Sequence, residues 1–179
     1  MAGDAGTTIG VLSLHNSKET KAILNAAEAL GHDTEWLRSE NTSVSIEDGE
    51  LTIEPDVDVV ANRLLLSNTA QPAEELGLAN VFARAKEMVN VPEATLTAMH
   101  KFAAATALAE ADVPIPDALL ALGSATLNRR RSEFGEEAVY KTAIGTHGGG
   151  TWKVGSGESV NAMVGNRYAF LQDLIERDG

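Results

Sequence analysis

The sequence predicts an α/β protein built as two small domains, and three observations carry that expectation. Of its 179 residues 44% are hydrophobic and 22% charged, enough apolar material for a core without the charge excess of a disordered chain. From Thr8 to Ala61 the periods run strand, helix, strand, hairpin, strand, an order that calls for some parallel pairing around a crossover helix. Between Asn90 and Ala94 the pattern passes from a short apolar strand into an Ala-rich helix, and the domain boundary is placed there.

Each element has its own signal. Thr8 to Leu14 is a short, apolar first strand, followed by the polar turn His15-Asn16-Ser17. Lys18 to Leu30 sets Ile23, Leu24, Ala27 and Leu30 at helical spacing, and Gly31 supplies the stop. Thr34 to Leu37 is a short strand. Val44 to Ile53 alternates apolar and polar residues about Asp48-Gly49, which predicts a hairpin. Val57 to Ala61 is a strand ending at Asn62-Arg63, Ala70 to Ala85 turns helical, and Met88 to Val91 closes the first domain as a strand. Thr95 to Ala111 is expected as one helix, ended by Pro114 and Pro116. Asp117 to Leu122 then reads as a strand, Ala125 to Phe134 as a helix and Ala138 to Thr142 as a strand. Trp152 to Val154 reads as its returning partner, and Ala169 to Gln172 centres a last strand or short helix.

Composition excludes several function classes. With no cysteine, disulfides, thiolate nucleophiles and cysteine-bound zinc are impossible. No apolar run reaches bilayer length and no signal-peptide pattern opens the chain, so a cytoplasmic protein with no membrane partner is expected. For the same reason the sequon Asn41-Thr42-Ser43 is set aside as chance. A net charge of −12 makes bare nucleic acid a poor partner. The one basic cluster, Arg129-Arg130-Arg131, is read as a solvated turn or helix end rather than a phosphate clamp. Scarce lysine, plentiful alanine and the acidic excess suit a halophilic source.

The most informative stretch runs from Val139 to Trp152: a strand presenting Lys141, the glycine-rich turn Gly145-Thr146-His147-Gly148-Gly149-Gly150, and a returning strand. Glycines let backbone N–H groups approach polyphosphate oxygens, and an ammonium neutralises their charge. A flexible hairpin with an ordinary lysine is the plainer alternative. A P-loop is excluded because no Gly-Lys-Ser/Thr opens a helix, and a dinucleotide fingerprint because the glycines come late and precede a strand. His147 has no partner at ligand spacing, Asp56/Asp58 and Glu74/Glu75 read as surface charges, and no metal-ligating or catalytic set is named.

Lys101 opening the Ala-rich helix, Ala111-Asp-Val-Pro-Ile-Pro116, Lys141 and the loop to Gly150 occur together in an order that resembles the ATP-grasp superfamily. Asn62-Arg63, Val89-Asn90-Val91-Pro92 and Phe170-Leu171-Gln172-Asp173-Leu174-Ile175 resemble segments of its RimK-like glutamate ligases. Thr142 and Thr146 depart from the family's Pro and Ser. The resemblance implies a pre-ATP-grasp, Rossmann-like domain over residues 7–92. It implies a linker helix and the first ATP-grasp subdomain over 93–179. Lys101 and Lys141 would contact ATP phosphates, and Gly145, Thr146, Gly148, Gly149 and Gly150 would cover them. Gln172, Asp173, Leu174 and Ile175 would grip adenine, and Arg63 would bind a substrate carboxylate.

The implied reaction is ATP-dependent carboxylate–amine ligation through an acyl-phosphate, joining an amino acid, expected to be glutamate, to a carboxylate acceptor. It needs Mg2+, whose family ligands follow the hinge and are expected outside this chain, so the 179 residues alone are expected to be inactive. An apolar face awaiting the next subdomain would favour homo-oligomers. The alternative is a non-catalytic module, or a remnant of such a ligase, that binds ATP or a small acid. An NAD-type oxidoreductase is disfavoured by the position of the loop.

Overall fold

A computed structural model describes residues 6–145, 150–160 and 168–175. The chain forms two compact units, Met1–Thr95 and Leu96–Gly179.

The first unit is built on a four-stranded parallel sheet in the order β2-β1-β5-β6. Its strands are β1 (Thr8–Leu12), β2 (Asp33–Leu37), β5 (Val59–Asn62) and β6 (Glu87–Val89). Val11, Leu12, Leu37 and Val60 are buried along them, as expected where helices cover a parallel sheet. Gly10 is required by close packing, because a Cβ there would lie 2.7 Å from Leu37 Cδ1 and 3.0 Å from Val57 Cγ1. Helix α1 (Lys18–Ala29) starts at Ser17, whose hydroxyl accepts the Thr20 N–H at 3.1 Å. It ends in a Schellman turn: Gly31 adopts φ 87°, its N–H reaches the Glu28 carbonyl, and the His32 N–H reaches Ala27.

Strands β3 (Ser43–Glu47) and β4 (Glu50–Glu54) form a separate hairpin. Asp48 and Gly49 both take positive φ (53° and 86°), the tight two-residue turn their identity implies. Helix α2 (Pro72–Ala85), with proline in its first turn, buries Ala79 and Phe82 and leads into β6.

The expected single helix from Thr95 to Ala111 is two helices, α3 (Pro92–Met99) and α4 (Lys101–Glu110). His100 breaks them by taking an extended backbone (φ −93°, ψ 105°) while its Nδ1 accepts the Ala103 N–H. A residue that reads as helix interior therefore acts as an N-cap. Nor do Pro114 and Pro116 set the end of α4. Asp112 sits in the left-handed region at φ 57°, and the Val113 N–H closes on the Leu108 carbonyl, so the helix stops before either proline.

The second unit holds a four-stranded antiparallel sheet in the order β7-β10-β8-β9. Its strands are β7 (Ala118–Ala121), β8 (Glu137–Lys141), β9 (Thr151–Gly155) and β10 (Ala169–Asp173). One face carries Leu119, Ala138, Tyr140, Val154 and Leu171 into a core with Leu127 of α5 (Ser124–Arg130) and Phe134. The helix expected to reach Phe134 gives way to a 3₁₀ turn over Arg131–Glu133. Arg131 is buried rather than solvated, and its guanidinium donates to the carbonyls of Phe134, Gly135, Glu136 and Val154. Both terminal nitrogens are committed to backbone carbonyls inside the fold, so it is neither a solvated turn residue nor a phosphate clamp.

Candidate functional site

The candidate site lies on the other face of the antiparallel sheet. Lys141 ends β8, and its register partner on β10 is Phe170, while Val139 faces Gln172. Directly opposed residues share a face and alternate residues repeat it, so Lys141, Val139, Phe170 and Gln172 stand together. Lys141 Nζ donates to Gln172 Oε1 and lies 5.9 Å from the Phe170 ring centroid.

Helix α4 brings the second lysine. Phe102 meets Phe170 edge-to-face at 5.6 Å, which seats the first turn of the helix against this face. The Lys101 N–H donates to the Ala143 carbonyl at 2.8 Å, and its Nζ donates to the Gly145 carbonyl at 3.1 Å. Burial holds the Lys101 ammonium below the ordinary lysine range, and the charge of Lys141 lowers it further. No carboxylate lies within 4 Å of either ammonium among the described residues.

The base of the glycine-rich loop is closed by the Thr142 N–H, which donates to the Gly150 carbonyl at 2.8 Å. A Cβ at Gly150 would fall 2.7 Å from Thr142 Cγ2, so the glycine is there to let the two strands close. Gly145 and Gly150 thus frame the loop, while Thr146, Gly148 and Gly149 lie outside the described residues. The predicted hinge residues fall at the end of β10. Gln172 turns to Lys141, the pleat sends Asp173 the other way, and the Asp173 N–H is taken by the Asp117 carbonyl. Leu174 is half-buried and Ile175 exposed. An open groove of about 430 Å³ runs along α4 past His100, Phe102, Thr106 and Leu120, but neither lysine lines it.

Arg63 belongs to the first unit, just beyond the carboxyl end of β5. Its N–H donates to the Leu12 carbonyl, and its Nε is buried without a hydrogen-bond partner among the described residues. The Glu19 carboxyl in the first turn of α1 is held below the usual range by its own backbone N–H, then by the Ser17 hydroxyl, with a smaller contribution from Arg63. The neighbouring Asn62 is structural. Its buried amide donates to the Asn90 carbonyl at 3.0 Å and accepts from the Leu64 N–H at 3.1 Å.

The structure therefore unites Lys101, Lys141, Gly145, Gly150 and Gln172 in one unit and keeps Arg63 in the other. Sequence reasoning overlooked the Phe102–Phe170 contact that positions Lys101. The only available signal was an aromatic one residue after the lysine, and its partner lies on a strand almost seventy positions away.

No family model matches the sequence, and no curated protein does either. Solved structures do match. A RimK-domain ATP-grasp protein from Sphaerobacter thermophilus aligns with a TM-score of 0.67 at 19% identity, over 96% of this chain and 65% of that one. The ATP-grasp ligase PsnB, complexed with minimal precursor, Mg and ADP, aligns with a TM-score of 0.65 at 17% identity, over 94% and 63%. D-alanyl-alanine synthetase A from Vibrio cholerae aligns with a TM-score of 0.62 at 15% identity, over 96% and 60%. The chain spans less than two thirds of the length of each. No helix among the described residues is long and apolar enough to cross a membrane. This chain has a mixed α/β structure, with a four-stranded parallel sheet, a four-stranded antiparallel sheet and a separate hairpin among the described residues, and its fold is that of the ATP-grasp proteins.

Proposed function

We propose that the chain is the nucleotide-holding part of an ATP-dependent carboxylate–amine ligase of the RimK-like type. The parallel unit would serve as the pre-ATP-grasp domain (7–92), and the linker helix with the antiparallel unit as the first ATP-grasp subdomain (93–179). One observation carries the reading: two ammonium groups, Lys101 and Lys141, converge at the base of a glycine-rich loop with no carboxylate within 4 Å of either among the described residues, in a fold shared with ATP-grasp ligases.

Under this reading ATP transfers its γ-phosphoryl group to a substrate carboxylate, an amine attacks the acyl-phosphate, and phosphate leaves. Lys101 and Lys141 hold the phosphate oxygens and offset their charge. The loop from Gly145 to Gly150 covers them with backbone N–H donors, Asp173 to Ile175 flank the adenine through hinge backbone groups and the Asp173 side chain, and the planar fork of Arg63 takes the substrate carboxylate. An amino acid, expected to be glutamate, supplies the amine. Among the described residues no three His, Asp or Glu side chains come together to hold a metal ion. They do not fit the magnesium such a reaction uses, and the proposal assigns its ligands to other residues.

The test is calorimetric titration of the protein with ATP, beside the Lys101→Met and Lys141→Met variants. Each variant should bind ATP about 10- to 100-fold more weakly, the size expected when one of two charge-assisted phosphate contacts is lost. Unchanged affinity in both would remove the lysines from the site. Amide formation from ATP, glutamate and an acceptor acid would establish the ligase, whereas binding without turnover would identify a non-catalytic module.

A further inference from the structure

The least expected contact of the site is between Lys141 and Gln172. In the sequence Gln172 belongs to a hinge that flanks adenine, yet its side chain lies across the sheet as the hydrogen-bond acceptor of the Lys141 ammonium. The other group facing that ammonium is the Phe170 ring, and the nearby charge is Lys101, another cation. Among the described residues no carboxylate lies within 4 Å of it. A carboxylate at position 172 would reach the same ammonium from the same backbone, and the amide is what this chain carries instead.

The two choices differ in their electrostatic consequence. An amide oxygen accepts a hydrogen bond and fixes the direction of the ammonium while leaving its charge whole. A carboxylate would fix it equally well but satisfy the charge, and would then repel an arriving phosphate. Antiparallel pairing makes the arrangement rigid, because Lys141 and Gln172 are diagonal neighbours on adjacent, hydrogen-bonded strands. We propose that Gln172 is a positioning residue, whose neutral amide oxygen aims the Lys141 ammonium at a nucleotide phosphate without neutralising it. This rests on the nucleotide reading of the site and adds to it the reason for an uncharged residue at this position.

The experiment compares ATP and adenosine binding by the wild type, Gln172→Glu and Gln172→Met. Adenosine carries the base and ribose but no phosphate, so it reports on the integrity of the site. Gln172→Glu should weaken ATP binding about tenfold at pH 7.5 and leave adenosine within about twofold, since only the phosphate meets the added charge. Gln172→Met keeps the length and loses the acceptor without adding a charge, so its ATP defect should be smaller, about threefold. Equal ATP affinity in wild type and Gln172→Glu would overturn the proposal and leave the nucleotide reading standing. A parallel loss of ATP and adenosine in both variants would also overturn it, since Gln172 would then merely hold β10 in place. A wild type that binds neither compound would bring down the nucleotide reading and this proposal together.

Discussion

Replacing Arg131 with Met should unfold the second unit at a markedly lower temperature, and the structure sets the size of the effect. The guanidinium donates at 2.8 Å to Phe134, 2.9 Å to Gly135, 3.1 Å to Glu136 and 2.6 Å to Val154, all backbone carbonyls. Gly135 and Glu136 are exposed, so their carbonyls can turn to water when the arginine is gone. The bonds to Phe134 and Val154 are buried, and each stranded acceptor costs about 1–3 kcal/mol. Against a gross loss of roughly 2–6 kcal/mol stands the relief of no longer burying a cation that has no carboxylate within 4 Å among the described residues. A net cost near 3 kcal/mol follows, which for a unit of this size lowers Tm by roughly 12–24 °C. Arg130 supplies the control. Its bidentate pair with Glu133 is half exposed on both sides, so Arg130→Ala should cost less than about 1 kcal/mol. Arg131→Lys should fall near the Met variant, because one compact ammonium cannot reach four carbonyls spread over two elements. Circular dichroism melts of the three variants make the comparison. An Arg131→Met melt within two or three degrees of wild type, on the scale given above, would refute the reasoning.

Three further outcomes are expected. Lys101 loses its proton below the ordinary lysine value of 10.5, through burial first and Lys141 second. Because the folded pKa is depressed, the unfolded chain binds more protons between the two values, so stability rises as pH passes upward through that window. ATP affinity should fall over the same window as the ammonium discharges, and Lys141→Met should move the fall to higher pH; paired melting and ATP titrations at alkaline pH read both. Gly150→Ala drives a Cβ into Thr142 and should cost about 1–3 kcal/mol. Thr142→Gly in the same chain should restore most of it, which a double-mutant cycle of melting temperatures measures. Gly10→Ala should destabilise the parallel unit by a similar 1–3 kcal/mol through Leu37 and Val57, seen as earlier hydrogen exchange in β1 and β2.

What the sequence revealed, and what it hid, follows from the range of the forces involved. The Asp48-Gly49 turn and the Gly31 stop were legible because their signals are local: a few residues dictate a backbone conformation that few others adopt. Most strands were legible for the same reason, since burial repeats every second residue or fills a short apolar run, while β10 was left open between strand and short helix. His100 was not. Its break depends on one imidazole nitrogen meeting the Ala103 N–H, and histidine carries little cap preference that a periodicity argument can see. Arg131 was misread for the opposite reason, because a run of three arginines suggests solvent while the packing of Phe134 and Val154 selects one of the three for burial.

The site divides along the same line. Lys101, Lys141 and the glycine loop could be singled out because their order along the chain carries the ATP-grasp resemblance. Which neighbours they would have could not be read, since Gln172 and Phe170 reach Lys141 through a strand register fixed by pairing far from it in sequence. The register also decides what kind of charge sits there. Had β10 paired one residue out of step, Asp173 rather than Gln172 would share the Lys141 face, and an ammonium that now meets a neutral amide would become half of an internal ion pair. Binding chemistry at this site thus depends on a pairing offset of a single residue. The burial of Leu171 between Leu119 and Tyr140 on the opposite face enforces that offset, because a slip of β10 would carry Leu171 out of that core and onto the lysine face.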